Sequence, residues 1–205
     1  MVLRTAGGGG SRPPRVRGDA RRSAPAPARI LRSVSAPPRS PYPPDLDDDH
    51  ESPTALAAAK DVLIRDVDWA NGRALGLELR RVELRVCRLT GADLAEAVLT
   101  DVSFLDCRLD LVSLRHARLE RVVLRDCRLE ECDFHGASLR DVTYERCILR
   151  GASFAGAHVE RVDLVGCDLL GASGVERLRG ARIPWDDVVA NAPVFAAALG
   201  LEVVD

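Results

Sequence analysis

From Leu79 to Ser173 the chain keeps a five-residue beat. Nineteen consecutive blocks of five open with Leu, Phe, Tyr or Val, and the fourth place of every block is Val, Cys or Ala. A helix repeats every 3.6 residues and a strand every two, so neither yields a strict five. A fixed period of this kind marks a stacked-repeat architecture, in which each unit buries its apolar side against its neighbours.

A second period lies inside the first. Cys87, Cys107, Cys127, Cys147 and Cys167 recur every twenty residues, as do Val82, Val102, Val122, Val142 and Val162. Four blocks therefore make one structural turn, and the simplest solid with that property is a four-sided coil stacked on its neighbours. Each inward column then holds one kind of residue. The large residues Leu84, Phe104, Leu124, Tyr144 and Leu164, with Phe134 and Phe154 on another side, are predicted to fill the interior. The small Ala, Val and Cys residues sit beside them where the chain turns. The nineteen blocks amount to just under five coils, or roughly 24 Å at a strand spacing of ~4.8 Å.

The triplets Ala92-Asp93-Leu94, Cys132-Asp133-Phe134 and Cys167-Asp168-Leu169 carry a literal motif, a small residue two places before a central Leu or Phe. In this the chain resembles the pentapeptide repeat family, whose motif is written A(D/N)LXX. The resemblance implies an all-β solenoid, a right-handed quadrilateral β-helix. It also implies a function expectation, because mycobacterial fluoroquinolone-resistance members mimic DNA and inhibit gyrase, dimerising through a C-terminal helical region.

The rest of the chain falls into three parts. Residues 1–54 form an Arg-, Pro-, Gly- and Ala-rich tail with no apolar period, predicted to be disordered because it cannot bury enough apolar surface to offset ordering. No apolar run follows Met1 as a secretory signal would require. Residues 55–78 are predicted to be an N-terminal cap, with a short helix at 55–60, a strand at 62–67, and Trp69 as a lid. Open β-stack ends need such covers, since their unpaired N–H and C=O groups invite aggregation. The beat fails at Gly174, and residues 174–205 are predicted to form an exit cap. Pro184 and the acids after it look like a helix start, Pro193 divides the segment into two short helices, and Gly200 ends the second. A last strand is expected at 201–204. On the resemblance Val188, Val194, Phe195 and Leu199 would form a dimer contact; as plain apolar residues they would equally cover the last coil.

The six cysteines show no CxxC and no paired-His spacing, so they do not match a zinc site. They read as small buried hydrophobes, and reduced thiols fit a cytoplasmic compartment. His116 and His135 project from one side in successive coils and are read as surface. No phosphate-binding loop, nucleophile elbow or metalloprotease motif is present, so no cofactor, metal or catalytic residue is expected.

Charge is distributed unevenly. The chain totals −2, yet residues 1–44 carry nine Arg against one Asp. That basic tail is the one segment that would contact nucleic acid directly. Within the coils 14 Arg face 16 acids. Asp101, Arg121, Asp141 and Arg161 fall twenty apart, predicting a ladder of alternating sign that supports register. Arg88, Arg108 and Arg128 form a short like-charged stripe beside Asp110, Glu130 and Glu131. A DNA mimic should carry a dense acidic face, which this balance does not provide. The expected function is therefore a non-enzymatic, rigid protein-interaction scaffold for an unnamed protein partner, with DNA gyrase binding as the alternative and no membrane association.

Overall fold

The computed structural model describes residues 38–41 and 58–202. Six parallel strands, β1 (Ala59–Arg65), β2 (Glu78–Arg85), β3 (Val98–Leu105), β4 (Arg118–Arg125), β5 (Ser138–Glu145) and β6 (His158–Val165), pair in sequence order in one sheet. Every pairing joins residues twenty apart, as in Leu84 with Phe104 and Leu124 with Tyr144. Single-residue bridges at Arg88–Arg108 and Asp93–Ser113, repeated coil after coil, build the remaining sides. The result is a four-sided β-solenoid of about five turns. The twenty-residue period sets this register directly, because any slip would turn Leu positions outward.

Corners come from a position the beat conceals. The third place of every block lies in the left-handed region, for example Val86 at φ 55° and Asp101 at φ 57°. Ten of the nineteen third places between Arg81 and Gly171 are Gly or Asp, types that tolerate this backbone well. The other nine hold bulkier side chains there at a conformational cost.

The core runs unbroken along the axis. Leu84, Phe104, Leu124, Phe134, Tyr144, Phe154 and Leu164 are all buried, as are the valine and alanine columns. The rings of Phe134 and Phe154 stack at 5.2 Å, and Tyr144 meets Phe134 edge-on at 6.1 Å.

The solenoid begins earlier than the beat suggests. Residues 59–77, expected as a separate cap, form a full coil. β1 pairs with β2 from Ala59 to Arg65, and Asp68 and Arg73 bridge to Arg88 and Asp93. Val62, Ile64, Val67 and Trp69 occupy the columns of Val82, Leu84, Cys87 and Leu89. Trp69 is thus a first-coil core residue, half-buried, its ring packed so closely on Gly72 that a Cβ there would lie 2.5 Å from it. Ala59 and Lys60 belong to β1 rather than to the expected helix; residues 55–57 lie outside the described residues, as does most of the tail.

The exit cap follows a 3-10 turn at Val175–Leu178 and comprises α1 (Trp185–Ala190) and α2 (Ala192–Ala198), with Pro193 in the first turn of α2. Gly200 takes a left-handed φ of 71° just past α2. Leu201 and Glu202 are in no strand, and the remaining residues of the expected one lie outside the described residues. Gly174, also left-handed, sits so near the preceding coil that a Cβ would meet the Ala155 nitrogen at 2.4 Å. The chain dips inward there, and only a residue without a side chain passes.

Candidate functional site

The cysteines lie where their spacing puts them. All six are buried and free. Cys127 Sγ is 3.4 Å from the Phe104 carbonyl and 3.2 Å from the Arg125 carbonyl, and the other column members repeat this geometry. Cys132 donates to the Leu109 carbonyl at 3.1 Å on the next side. Burial pushes the Cys132 thiol well above its ordinary value. A protonated, buried thiol is a poor nucleophile and a poor metal ligand. Among the described residues no group of three or more His, Cys, Asp or Glu is placed to hold a metal ion.

Tyr144 is the odd member of its column. Its hydroxyl is buried and has no hydrogen-bond partner among the described residues. Burial raises its pKa well above the ordinary value, so it stays a neutral phenol among apolar neighbours.

Outward columns carry the chemistry of the surface. The alternating ladder is present, and it is resolved into pairs. Arg121 grips Asp101 with bonds of 2.6 and 3.1 Å, and Arg161 grips Asp141 with bonds of 2.6 and 2.9 Å. Arg81 does the same to Asp61. Each arginine reaches back one coil in the planar two-point geometry that guanidinium and carboxylate share. Arg140 pairs with Glu160 at 2.9 Å, and Arg146 with Asp126 at 2.7 Å. The arginine stripe is neutralised at its far end, where Arg128 lies 3.5 Å from Asp110 and 3.0 Å from Glu130. The rings of His116 and His135 lie edge to face at 5.7 Å.

The exit cap ends the stack by imitating the coil that would come next. Within the coils the Leu149 N–H donates to the Asp168 carbonyl and the Asp168 N–H to the Cys147 carbonyl. One coil on, the Leu169 N–H donates to Asn191 Oδ1 at 2.8 Å, and Asn191 Nδ2 donates to the Cys167 carbonyl at 2.9 Å. The Gly166 N–H likewise donates to Asp187 Oδ2 at 2.6 Å. One buried amide and one carboxylate therefore replace missing backbone.

Of the four residues named for a dimer contact, the structure turns two inward. Val194 is buried and Phe195 is half-buried against the core. Val188 is half-buried, and Leu199 is 75% exposed. Leu199, with Leu178, Phe195 and Ala198, lines an apolar groove of about 520 Å³; a second, of about 400 Å³, lies along Leu170, Val194 and Ala197. Trp185, Val189 and Leu201 are also exposed in this region. Sequence reasoning missed Trp185, Val189, Asn191 and Asp187, since none of them repeats.

The comparisons with known proteins agree with the architecture. A model of the pentapeptide repeat region matches residues 77–154, and a model of eight-copy pentapeptide repeats matches residues 145–173. Among solved structures, a trypsin-treated form of QnrB1, a plasmid-mediated fluoroquinolone resistance protein, is 21% identical over 70% of this chain and 90% of its own, with a TM-score of 0.39. Rfr23, a pentapeptide repeat protein from the cyanobacterium Cyanothece 51142, is 19% identical over 58% of this chain and 86% of its own, with a TM-score of 0.25. No curated protein matches in sequence. The unbroken beat and the four-sided coil it builds are those of pentapeptide repeats, and the two repeat models of that family together match residues 77–173.

Proposed function

We propose that the protein is a non-enzymatic scaffold that binds another protein. The observation that carries this reading is the division of the surface. The coil interior is filled with side chains and so offers no cavity in which reacting groups could converge. The outer charges are largely consumed in pairs on their own faces, while among the described residues Trp185, Val189, Leu199 and Leu201 are exposed large apolar residues of the exit cap, with Leu170 in the last coil; Leu75, Val86, Leu111 and Val165 are exposed along the coils. Exposed apolar residues gathered in one region mark an interaction surface. The same region would serve self-association, with Leu199 and Trp185 as its most exposed contacts.

Photo-crosslinking from Leu199 and, as a control, from the paired-charge position Glu160 tests the reading. One discrete partner, or a second copy, captured from Leu199 alone supports it. Equal and unspecific labelling from both positions counts against it. Gyrase binding by DNA mimicry needs an unbalanced acidic face, and Asp101, Asp126, Asp141 and Glu160 are each held by an arginine. Gyrase supercoiling unchanged at micromolar protein is the expected result.

A further inference from the structure

Of the amino-terminal region the structure places Pro38–Pro41, and this stretch lies against the coil. The Arg39 backbone N–H donates to Asp141 Oδ1 at 3.1 Å across 102 residues of sequence. Proline at each end leaves Arg39 and Ser40 as the two residues of the stretch with a main-chain N–H to give. Both prolines are half-buried, whereas Arg39 and Ser40 are exposed. The hydrogen bond to the coil is therefore made by the backbone, while the long basic side chain lies exposed.

Asp141 is a prepared acceptor. It stands in an outward column yet is only 2% exposed. Arg161 holds its carboxylate from the next coil by two bonds, so little ordering is left to lose when a peptide N–H arrives. Chiefly the Arg161 guanidinium, and further the Arg39 N–H, hold this carboxyl below the usual range against the opposing effect of burial.

The column repeats this arrangement. Asp101 occupies the same place two coils earlier, is 5% exposed, and is gripped by Arg121 in the same two-point manner. Two coils at ~4.8 Å set these carboxylates roughly 9.6 Å apart.

We propose that Asp141, pinned by Arg161, is a docking point for an extended, proline-flanked peptide, and that its occupant is the chain's own Pro38–Pro41 segment. The site reads backbone conformation: a pinned carboxylate takes a main-chain N–H, and flanking prolines hold the peptide extended at low entropic cost. The inference stands independently of the scaffold reading. If both hold, any partner that uses this face has to displace the segment first.

Amide hydrogen exchange of Arg39, followed by NMR in the full chain, tests the proposal. The Arg39 amide should exchange at least about tenfold more slowly than in a free peptide of residues 34–44. Asp141→Ala should return it to the free-peptide rate while the amides of β4 stay protected. A second variant avoids any risk to the coil. Arg39→Pro removes the donor, and the Asp141 carboxyl carbon should then titrate at higher pH than in Arg39→Gln, which loses the same charge but keeps the N–H. Free-peptide exchange in the unaltered chain overturns the proposal. So does protection that survives Asp141→Ala in a folded coil, or an Asp141 titration that is the same in Arg39→Pro as in Arg39→Gln.

Discussion

The coils and the exit cap solve the same problem by opposite means. Inside the coils each backbone group finds its partner in the next copy of the same unit, so Leu149 and Asp168 are served by position alone. At the exit no copy follows, and Asn191 and Asp187 supply side-chain atoms in its place. Repetition settles an interior cheaply, because one good contact is reused at every level. It cannot specify an end, since a stack that is satisfied only by another coil has no reason to stop. The end is made by residues that occur once: Gly174, which lets the chain cross inward, and Asn191, which closes the last coil. Trp185, Val189, Leu199 and Leu201 lie exposed at the same end.

Substitutions in the coils and in the cap test this contrast. The largest effect should come from the interior: Phe134→Ala removes a stacked ring from the continuous core and should cost about 3–5 kcal/mol in urea unfolding. Leu201→Ala, at an exposed cap position, should stay within about 0.5 kcal/mol. Comparable losses for the two would dissolve the distinction between coil and cap.

Asn191→Ala comes next. It leaves the Leu169 N–H and the Cys167 carbonyl without partners and should cost about 2–4 kcal/mol. The loss should be local, with faster hydrogen exchange near Leu169 and unchanged exchange in β3 and β4. Uniform acceleration along the stack would mean that the cap governs the whole solenoid rather than its end.

Smaller effects probe the imperfections of the repeat. Val86 is β-branched at φ 55°, so Val86→Asn should raise stability by about 1 kcal/mol. Tyr144→Phe deletes a buried, unpartnered hydroxyl and should be neutral or stabilising by up to about 1 kcal/mol. A marked loss on Tyr144→Phe would show that the hydroxyl is satisfied in solution.

The paired outer columns should give the smallest effect per site, visible as acid sensitivity. Arg161, Arg146 and Arg125 hold Asp141, Asp126 and Glu145 respectively below their ordinary pKa values. The unfolded chain therefore takes up these protons first as pH falls. Their contribution is complete above the ordinary carboxylate range of about 4 and is lost as pH falls through the lower native values. Melting temperature should be level from pH 7 to 5 and decline below pH 4; a decline absent from the Asp141→Asn, Asp126→Asn, Glu145→Gln triple variant would assign it to these pairs.

Two features of the coil were present in the sequence but faint. The first coil hides behind Gly72 and Ala74, which stand where later coils carry a fuller small residue and a central Leu or Phe. Val62, Ile64, Val67 and Trp69 keep the twenty-residue spacing and could have disclosed it. The left-handed corner was legible in the Gly and Asp of the third place, although Arg121, Leu111 and His116 at equivalent positions blur it.

Residue spacing alone accounts for the period, the inward columns, the burial of the thiols and the alternation of the charge ladder. These follow from identical residues at fixed spacing, where each local preference is repeated until it outweighs the exceptions. How the stack ends, which cap residues turn inward, and that Arg39 meets Asp141 follow from the folded chain and not from spacing. Those contacts join segments with no shared period, through single hydrogen bonds whose partners are chosen by where the folded backbone happens to pass.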